Sequence, residues 1–386
     1  MSSLNIHQQV FGLSLASNML TAGKGTEAEL QGQLNLELQR TISNQIGNWT
    51  VVWGPRVWKS EPNDADSGPD RVWYIAHNPF ARFGDRIHNT YVLAIAATAD
   101  HSKENLAINT TVDKVVDFNG WVEAGITTAP EEASSVDQTK PYIAYGTAAG
   151  ISTLLTVPSP AGQTIIDFLA TIPPTSRLIF TGHSLGGTLS PTVALALLRA
   201  GLLKNAPGNV FAYPTAGLSP GNGPFATLFA ENFPLISDGP VAYQAWNGNI
   251  ANTNDVIPHL WDIDTLNAIP TLYGTLPPFL NTVARVIVNC LINAANSSGL
   301  LYVPLQGRTF STAAPDTPQT LSELFQTITQ EHIAAYELFI ATPSITLLHE
   351  RASSMEQAKN LPVLQGLYKA HLEGNETAEK LDKEGA

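Results

Sequence analysis

Short runs of β-branched and aromatic residues recur along the chain, each bounded by Gly, Pro, Asn or Asp. These runs predict buried strands at 72–77, 91–98, 177–181, 210–213 and 241–246. Between them, apolar residues spaced three and four positions apart predict helices, notably over 161–171 and 188–200. Strands that alternate with helices are typical of a mostly parallel sheet with helices on both faces. We therefore predict an α/β fold.

A long segment in the second half of the chain is almost free of charge. Over 265–307 the one charged side chain is Arg285, and apolar residues at helical spacing predict a helix over 279–296. This helix is either a buried core helix or a cap that lines an apolar substrate site. Pro and Asn residues interrupt the segment too often for about 20 consecutive lipid-facing residues, so we expect no transmembrane segment.

Composition and charge exclude several classes of protein. Apolar types make up 44% of the 386 residues and charged types 14%, which excludes a mainly disordered chain. The formal net charge is −13 and no Lys/Arg cluster interrupts it, so we expect no nucleic-acid partner and some repulsion from anionic membranes.

Metal and disulfide chemistry are also disfavoured. The single cysteine, Cys290, cannot form an intramolecular disulfide, and no Cys/His spacing fits a zinc site. The acidic stretch 64–70 departs from the EF-hand calcium pattern and lacks its closing Glu, so a solvated turn is the favoured interpretation. We predict no metal and no cofactor.

The N-terminal residues give little information on location. Residues 1–22 contain no Lys or Arg, and the apolar run at 10–16 lacks both a basic flank and a small-residue cleavage pattern. These features disfavour a secretory signal peptide. A cytoplasmic location, export by a non-standard route and earlier removal of a leader all stay open.

The strongest chemical signal lies where the strand predicted at 177–181 ends. Gly-His-Ser-Leu-Gly at 182–186 joins this strand to a helical pattern, which is the strand–turn–helix context of the G-x-S-x-G motif. The turn needs small residues two positions either side of the serine, and Gly182 and Gly186 supply them. We predict that Ser184 is a nucleophile and that the N–H of Leu185 donates to an oxyanion.

A second G-x-S-x-G pattern, at 217–221, is a weaker candidate. Pro and Gly residues follow Ser219 as far as position 224, and we predict that they cannot open a helix. Without a helix N-terminus beside it, Ser219 would lack the turn geometry and the dipole that activate a serine, so we reject it as the nucleophile.

A serine nucleophile needs a base to accept its proton and an acid to orient that base. When the serine lies on a strand–turn–helix motif, the acid comes next along the chain and the histidine base after it. We predict Asp255 as the acid, because it lies on the loop after the strand predicted at 241–246. Weaker alternatives, placed before that strand or farther from it, are Asp238, Asp262 and Asp264.

Of the histidines that follow Asp255, we predict His332 as the base. It lies where a helix is expected to begin, after a loop that returns from the apolar segment. His259 is only four residues from Asp255, too close to form a separate arm of a triad, and His371 lies in the charged C-terminal tail. His183, inside the turn itself, is expected to pack aside rather than act as a base.

With these residues identified, the sequence resembles the class 3 lipase family, serine esterases of the α/β-hydrolase fold. Residues 181–187 are similar to the family's nucleophile motif, residues 254–258 to its acid motif, and Glu331, His332 and Tyr336 to its histidine helix. The loop at 217–222 also matches, and the resemblance covers about 70–345.

The resemblance adds three expectations. It implies an α/β-hydrolase fold with a cap or lid, and it aligns 95–98 with the family's oxyanion strand, which implies Thr98 as a second oxyanion donor. Ala96 and Ala97 stand where that strand carries Arg-Gly, which is a departure from the family pattern. It also places 99–112 at the family's lid position.

We therefore predict an α/β-hydrolase catalytic domain over 71–345, with a cap-like insert at 265–307. Residues 1–70 are predicted to be an extension packed on the core, and 346–386 a charged helical tail. The implied function is hydrolysis of lipid acyl esters, as by a triacylglycerol lipase, with transient contact at a lipid–water interface. A phospholipase, a small-ester esterase and a non-catalytic binding protein of the same fold remain alternatives.

Overall fold

The computed structural model describes residues 4–102 and 111–350. A seven-stranded sheet forms its centre, and two smaller sheets lie outside it. Numbered along the chain, the strands are β1 (Thr50–Trp58), β2 (Arg71–Phe83), β3 (Arg86–Ile95), β4 (Val115–Asp117), β5 (Tyr142–Ala144), β6 (Arg177–His183), β7 (Val210–Thr215), β8 (Gly221–Asn222), β9 (Ile236–Ser237), β10 (Ala245–Trp246), β11 (Asn249–Asn252), β12 (Tyr302–Val303) and β13 (Gly307–Phe310).

Helices connect the strands and cover the sheet. The α-helices are Ile6–Ala16, Glu27–Thr41, Phe118–Ala124, Tyr145–Thr156, Ile165–Leu169, Leu185–Arg199, Gly223–Asn232, Ile263–Ala268, Pro278–Ser297, Leu321–Thr329 and Ala335–Ile340. Two π-helical turns, Ile42–Ile46 and Gln330–Ala334, extend or join them.

The central sheet has the order β1-β2-β3-β6-β7-β11-β13. Strand β2 is antiparallel to both of its neighbours, whereas every adjacent pair from β3 to β13 is parallel. The strands predicted at 72–77, 91–98, 177–181 and 210–213 are confirmed as β2, β3, β6 and β7, although β3 ends at Ile95, before Thr98.

The strand predicted at 241–246 is wrong. Only Ala245 and Trp246 are extended, and they pair with β9 outside the central sheet. Before them the N–H of Gln244 donates to the carbonyl of Val241 at 2.9 Å, which closes a turn in place of a strand. The strand that leads to Asp255 is instead β11, which is short and polar and gave no strand signal.

The sheet separates two apolar layers. Along β6, Ile179 packs on one face, while Leu178 and Phe180 pack on the other, as the two-residue period of a strand requires. Buried residues of the helix Ile6–Ala16 share the first layer, and those of the helix Leu185–Arg199 share the second. The α/β fold is confirmed.

The N-terminal segment is built into this sheet. Strand β1 forms one edge of the seven strands, and the hydroxyl of Tyr74 in β2 donates to the carbonyl of Leu13 at 2.6 Å. Residues 1–70, predicted as an extension packed on the core, therefore contribute an edge strand to the central sheet.

The helix predicted at 279–296 is confirmed as Pro278–Ser297. Leu280 and Val283 on this helix pack against Leu321 in two small clusters that are separate from the cores on the sheet. By length and composition it is the one helix among the described residues that could cross a membrane, and 28% of its most apolar 18-residue stretch is buried. A helix packed on a protein core passes the same test, so the absence of a transmembrane segment stays a prediction.

Two predicted regions lie partly outside the described residues. Of the segment at the lid position, 99–112, residues 103–110 are not described, and of the predicted tail, 346–386, residues 351–386 are not described. His371 falls in the second of these.

Candidate active site

Ser184 lies at the junction between β6 and the helix Leu185–Arg199, as predicted for a nucleophile turn. Its backbone has φ 58° and ψ −123°, a strained conformation for a residue with a side chain. The chain passes so close to itself that a Cβ at Gly182 would collide with the main chain of Gly186, and one at Gly186 with the carbonyl of Ile95. Only glycine fits at these two positions, so the motif spacing has a steric cause.

Leu185 is the first residue of the helix that follows. The first four N–H groups of a helix have no partner within it, and they carry its partial positive charge. Thr98 lies in the loop after β3, and this loop starts beside the same turn, because a Cβ at Gly186 would also lie 2.9 Å from the Ala96 carbonyl oxygen. Asn18 fixes this loop by accepting from the Ala97 N–H at 2.7 Å.

Asp255 is fully buried on the loop that follows β11. Its Oδ2 atom lies 2.8 Å from His332 Nδ1 and accepts a hydrogen bond from the Tyr336 hydroxyl at 2.9 Å. Its Oδ1 atom accepts from the N–H of Ile257 at 2.9 Å. Burial and the neighbouring Asp255 carboxylate raise the pKa of Tyr336 well above its usual range, so its hydroxyl stays a donor.

The sequence predicted that a helix begins at His332, but the structure does not place it at a helix start. It lies in the π-helical turn Gln330–Ala334, between the helices Leu321–Thr329 and Ala335–Ile340, so it is in the middle of one long helical segment. Such single turns often occur at functional sites, because the wider turn changes which way side chains project. The structure brings His332 to Asp255 over 77 positions of sequence.

The sequence missed the role of His183. Its Nδ1 lies 2.9 Å from Thr215 Oγ1, and its Nε2 lies 2.7 Å from the main-chain carbonyl of His332. A carbonyl only accepts, so Nε2 of His183 carries a proton and donates it to the His332 carbonyl. The two histidine rings lie 4.7 Å apart, so His183 links the segment that carries His332 to the turn that carries Ser184.

A second buried carboxylate also anchors this segment. Glu331 Oε2 accepts from the side-chain amide of Asn252 at 2.6 Å and from the Thr312 hydroxyl at 2.7 Å. These bonds connect the π-helical turn to the end of β11. Nothing in the sequence pattern indicated this network, because its three members come from separate segments.

The structure also places two other sequence candidates, Ser219 and His259. The prediction that 220–224 cannot open a helix was wrong, because the helix Gly223–Asn232 begins there with Pro224 in its first turn, where a missing N–H is tolerated. Ser219 still does not adjoin a helix N-terminus, since the helix starts four residues later, and its side chain is buried. His259 lies in the 3₁₀ turn Ile257–His259.

Within 4–102 and 111–350, no group of three or more His, Cys, Asp or Glu side chains could hold a metal ion. Near the acidic stretch 64–70, the ammonium of Lys59 donates to the carbonyls of Gly25 and Ser67, at 2.6 and 2.9 Å. A side-chain cation of the protein therefore satisfies carbonyls in this region.

A family model described as Lipase (class 3) matches residues 107–264. The resemblance to class 3 lipases is confirmed. The matched segment includes Ser184, Leu185 and Asp255 and ends before His332. The match supports an ester hydrolase of the lipase type.

One solved structure confirms the α/β-hydrolase fold. The crystal structure of M37 lipase is 22% identical, with a TM-score of 0.63, and the alignment covers 87% of this chain and 92% of that one. Lipase II from Rhizopus niveus is more distant, with 13% identity, a TM-score of 0.39, and coverage of 67% and 76%. No curated protein sequence matches this chain significantly.

Proposed function

We propose that this protein is a serine carboxylic ester hydrolase that acts on lipid acyl esters such as triacylglycerols. In this proposal Ser184 is the nucleophile, His332 the base and Asp255 the group that orients it. The observation that carries the proposal is the 2.8 Å contact between His332 Nδ1 and the fully buried Asp255 carboxylate, on a segment that His183 ties to the strained Ser184 turn.

The proposed reaction has two stages, formation of an acyl-enzyme and its hydrolysis. Asp255 holds the proton of His332 on Nδ1, which leaves Nε2 as the base. Ser184 Oγ attacks the ester carbonyl carbon while Nε2 takes its proton, and Nε2 then gives this proton to the departing alcohol oxygen, leaving an acyl-enzyme. Water then attacks the acyl carbonyl carbon while Nε2 takes a proton from it. Nε2 gives this proton to the departing Ser184 Oγ, which releases the acid and restores the serine.

The negative charge that develops on the carbonyl oxygen needs donors. We assign this role to the N–H of Leu185 and to Thr98. The Leu185 N–H is at the positive end of a helix, and Thr98 lies on a loop that starts beside the same turn. Loss of one such donor typically lowers kcat by about 10²- to 10³-fold.

The test is hydrolysis of p-nitrophenyl esters from acetyl to palmitoyl. Ser184→Ala should abolish turnover, and Asp255→Asn should lower kcat by about 10⁴-fold because the imidazole loses its orienting partner. Ser190→Ala is the matched control, since Ser190 is buried on the same helix, its hydroxyl has no partner among the described residues, and it plays no part in the proposed chemistry. Turnover that survives in Ser184→Ala would overturn the proposal.

The alternatives differ in substrate or in turnover. Comparison of triacylglycerol droplets with phosphatidylcholine dispersions separates a lipase from a phospholipase, and the acyl-length profile identifies a small-ester esterase. Given the net charge of −13, neutral droplets should be better substrates than anionic vesicles. A folded wild type that hydrolyses none of these esters would favour a non-catalytic binding protein.

A further inference from the structure

His183 is the last residue of β6 and immediately precedes Ser184. It is 3% exposed, so its imidazole ring is almost wholly shielded from water. Its Nε2–H group donates to the main-chain carbonyl of His332 at 2.7 Å. One side chain therefore joins the neighbour of the proposed nucleophile directly to the main chain of the proposed base.

The carbonyl that accepts this bond lies within the π-helical turn Gln330–Ala334. Here the carbonyl of Gln330 accepts from the N–H of Ala335, five residues further on, whereas in an α-helix it would accept from the fourth. A side chain that reaches into the bonding pattern of a helix is one of the known causes of such local distortion. The contact from His183 is therefore placed to hold the turn in its wide form.

His332 is fixed through both its side chain and its main chain. Its Nδ1 atom lies 2.8 Å from Asp255 Oδ2, which ties the imidazole to the loop after β11. In the central sheet β11 is two strands away from β6, the strand that leads to Ser184. The bond from His183, by contrast, ties His332 to the end of β6 itself. It is therefore the contact that sets the position of His332 relative to Ser184.

Other contacts of the His183 ring keep this bond in its direction. Its Nδ1 atom lies 2.9 Å from Thr215 Oγ1 on the neighbouring strand β7. The main-chain carbonyl of Thr215 also accepts from the N–H of Ser184 at 3.0 Å. The ring of Tyr336, whose hydroxyl donates to Asp255, lies edge-on to the His183 ring at 5.0 Å. Contacts on two further sides therefore fix the orientation of the ring.

We propose that His183 is a positioning residue for ester hydrolysis. Its Nε2–H bond holds the π-helical turn at the separation from Ser184 at which the His332 imidazole takes the serine proton. This inference rests on the proposed function, because it takes Ser184 as the nucleophile and His332 as the base. His183 itself transfers no proton in this scheme, since its Nε2 proton stays in the bond to the carbonyl.

The test removes this bond while keeping the shape of the ring. His183→Phe deletes both nitrogens, and His183→Gln restores one N–H donor at a reach close to that of Nε2. The matched control is His7→Phe, because His7 is an equally buried histidine, 2% exposed, that stacks on Trp246 and plays no part in the proposed chemistry. The readouts are kcat and KM for p-nitrophenyl butyrate and the rate at which a fluorophosphonate labels Ser184. All are measured well below the melting temperature of each variant.

We expect kcat of His183→Phe to fall about 10²-fold with KM unchanged, because a displaced base impairs proton transfer and not substrate binding. Labelling by the fluorophosphonate should slow by a similar factor, since it depends on the same proton transfer from the serine. His183→Gln should recover at least about tenfold of the lost kcat, because it restores the donor. His7→Phe should keep the wild-type kcat and labelling rate even where it lowers the melting temperature.

The outcomes separate this inference from the proposed function. A folded His183→Phe with the wild-type kcat would show that the bond is only structural, and it would overturn the inference while leaving the ester hydrolase intact. A His183→Gln variant no faster than His183→Phe would overturn the assignment to the Nε2 donor. Should His183→Phe fail to fold, His183→Asn replaces it with the same expected loss, because its amide is too short to reach the His332 carbonyl. A wild type that, like Ser184→Ala, neither hydrolyses the ester nor reacts with the fluorophosphonate overturns the proposed function and this inference with it.

Discussion

The hydroxyl of Tyr336 offers a direct test of how the fold supports Asp255. It donates to Asp255 Oδ2 at 2.9 Å and at the same time accepts from the N–H of Asn252 at 2.9 Å. The change Tyr336→Phe removes both bonds without changing the ring. Tyr273 is a matched control, because its hydroxyl is also buried but has no partner within the described residues.

The expected loss follows from the two bonds. A hydrogen bond to a charged group contributes about 1.5–3 kcal/mol, and a buried N–H left without a partner costs about 1–3 kcal/mol, so Tyr336→Phe should lower the free energy of unfolding by about 4 kcal/mol. For a chain of 386 residues this corresponds to a melting temperature lower by about 5 °C. Tyr273→Phe removes no bond, so its melting temperature should change by less than about 1 °C.

The assay combines thermal unfolding with ester hydrolysis. Because Asp255 loses one of three donors that fix its carboxylate, kcat of Tyr336→Phe at a temperature well below unfolding should fall about tenfold, while KM stays unchanged. Equal losses of stability in both phenylalanine variants would refute the reasoning. A stability loss with unchanged kcat would show that Tyr336 supports the fold and not the orientation of Asp255.

Two further predictions concern the turn and the N-terminal helix. Gly186→Ala should lose activity and more than about 3 kcal/mol of stability, since its Cβ would collide with main-chain atoms. The control Gly208→Ala, with no atom within 4 Å of the added Cβ, should melt like the wild type. A folded, active Gly186→Ala would contradict the steric argument. Burial, partly offset by Asp238, lowers the pKa of His7 from 6.5 to about 4. The unfolded chain therefore binds a proton that folded His7 does not, and between pH 6.5 and pH 4 this group should remove about 3 kcal/mol of stability as the pH falls. Denaturant unfolding across this range should be less pH-dependent in His7→Phe, and an unchanged slope would show that His7 is not the source.

The local pattern of the sequence was enough to predict most of the sheet. Strands β2, β3, β6 and β7 are apolar on both faces, because helices cover the sheet on both sides, and such runs are visible in the sequence. Strand β11 escaped prediction for the opposite reason. It is four residues long, and three of the four, Asn249, Ala251 and Asn252, are polar or small. Pairing with β7 and β13 holds it in the sheet.

For the candidate site, the sequence determined what depends on neighbouring residues. The Ser184 turn could be predicted because its geometry is set by glycines two positions away. The chain order Ser184, Asp255, His332, on which the proposed roles rest, is likewise visible in the sequence. The tertiary structure decided which side chains meet. His332, Tyr336 and Ile257 converge on Asp255, and His183 reaches the carbonyl of His332, through contacts between segments far apart in the chain. Such contacts are stabilised by burial and packing of whole elements, which no short stretch of sequence encodes.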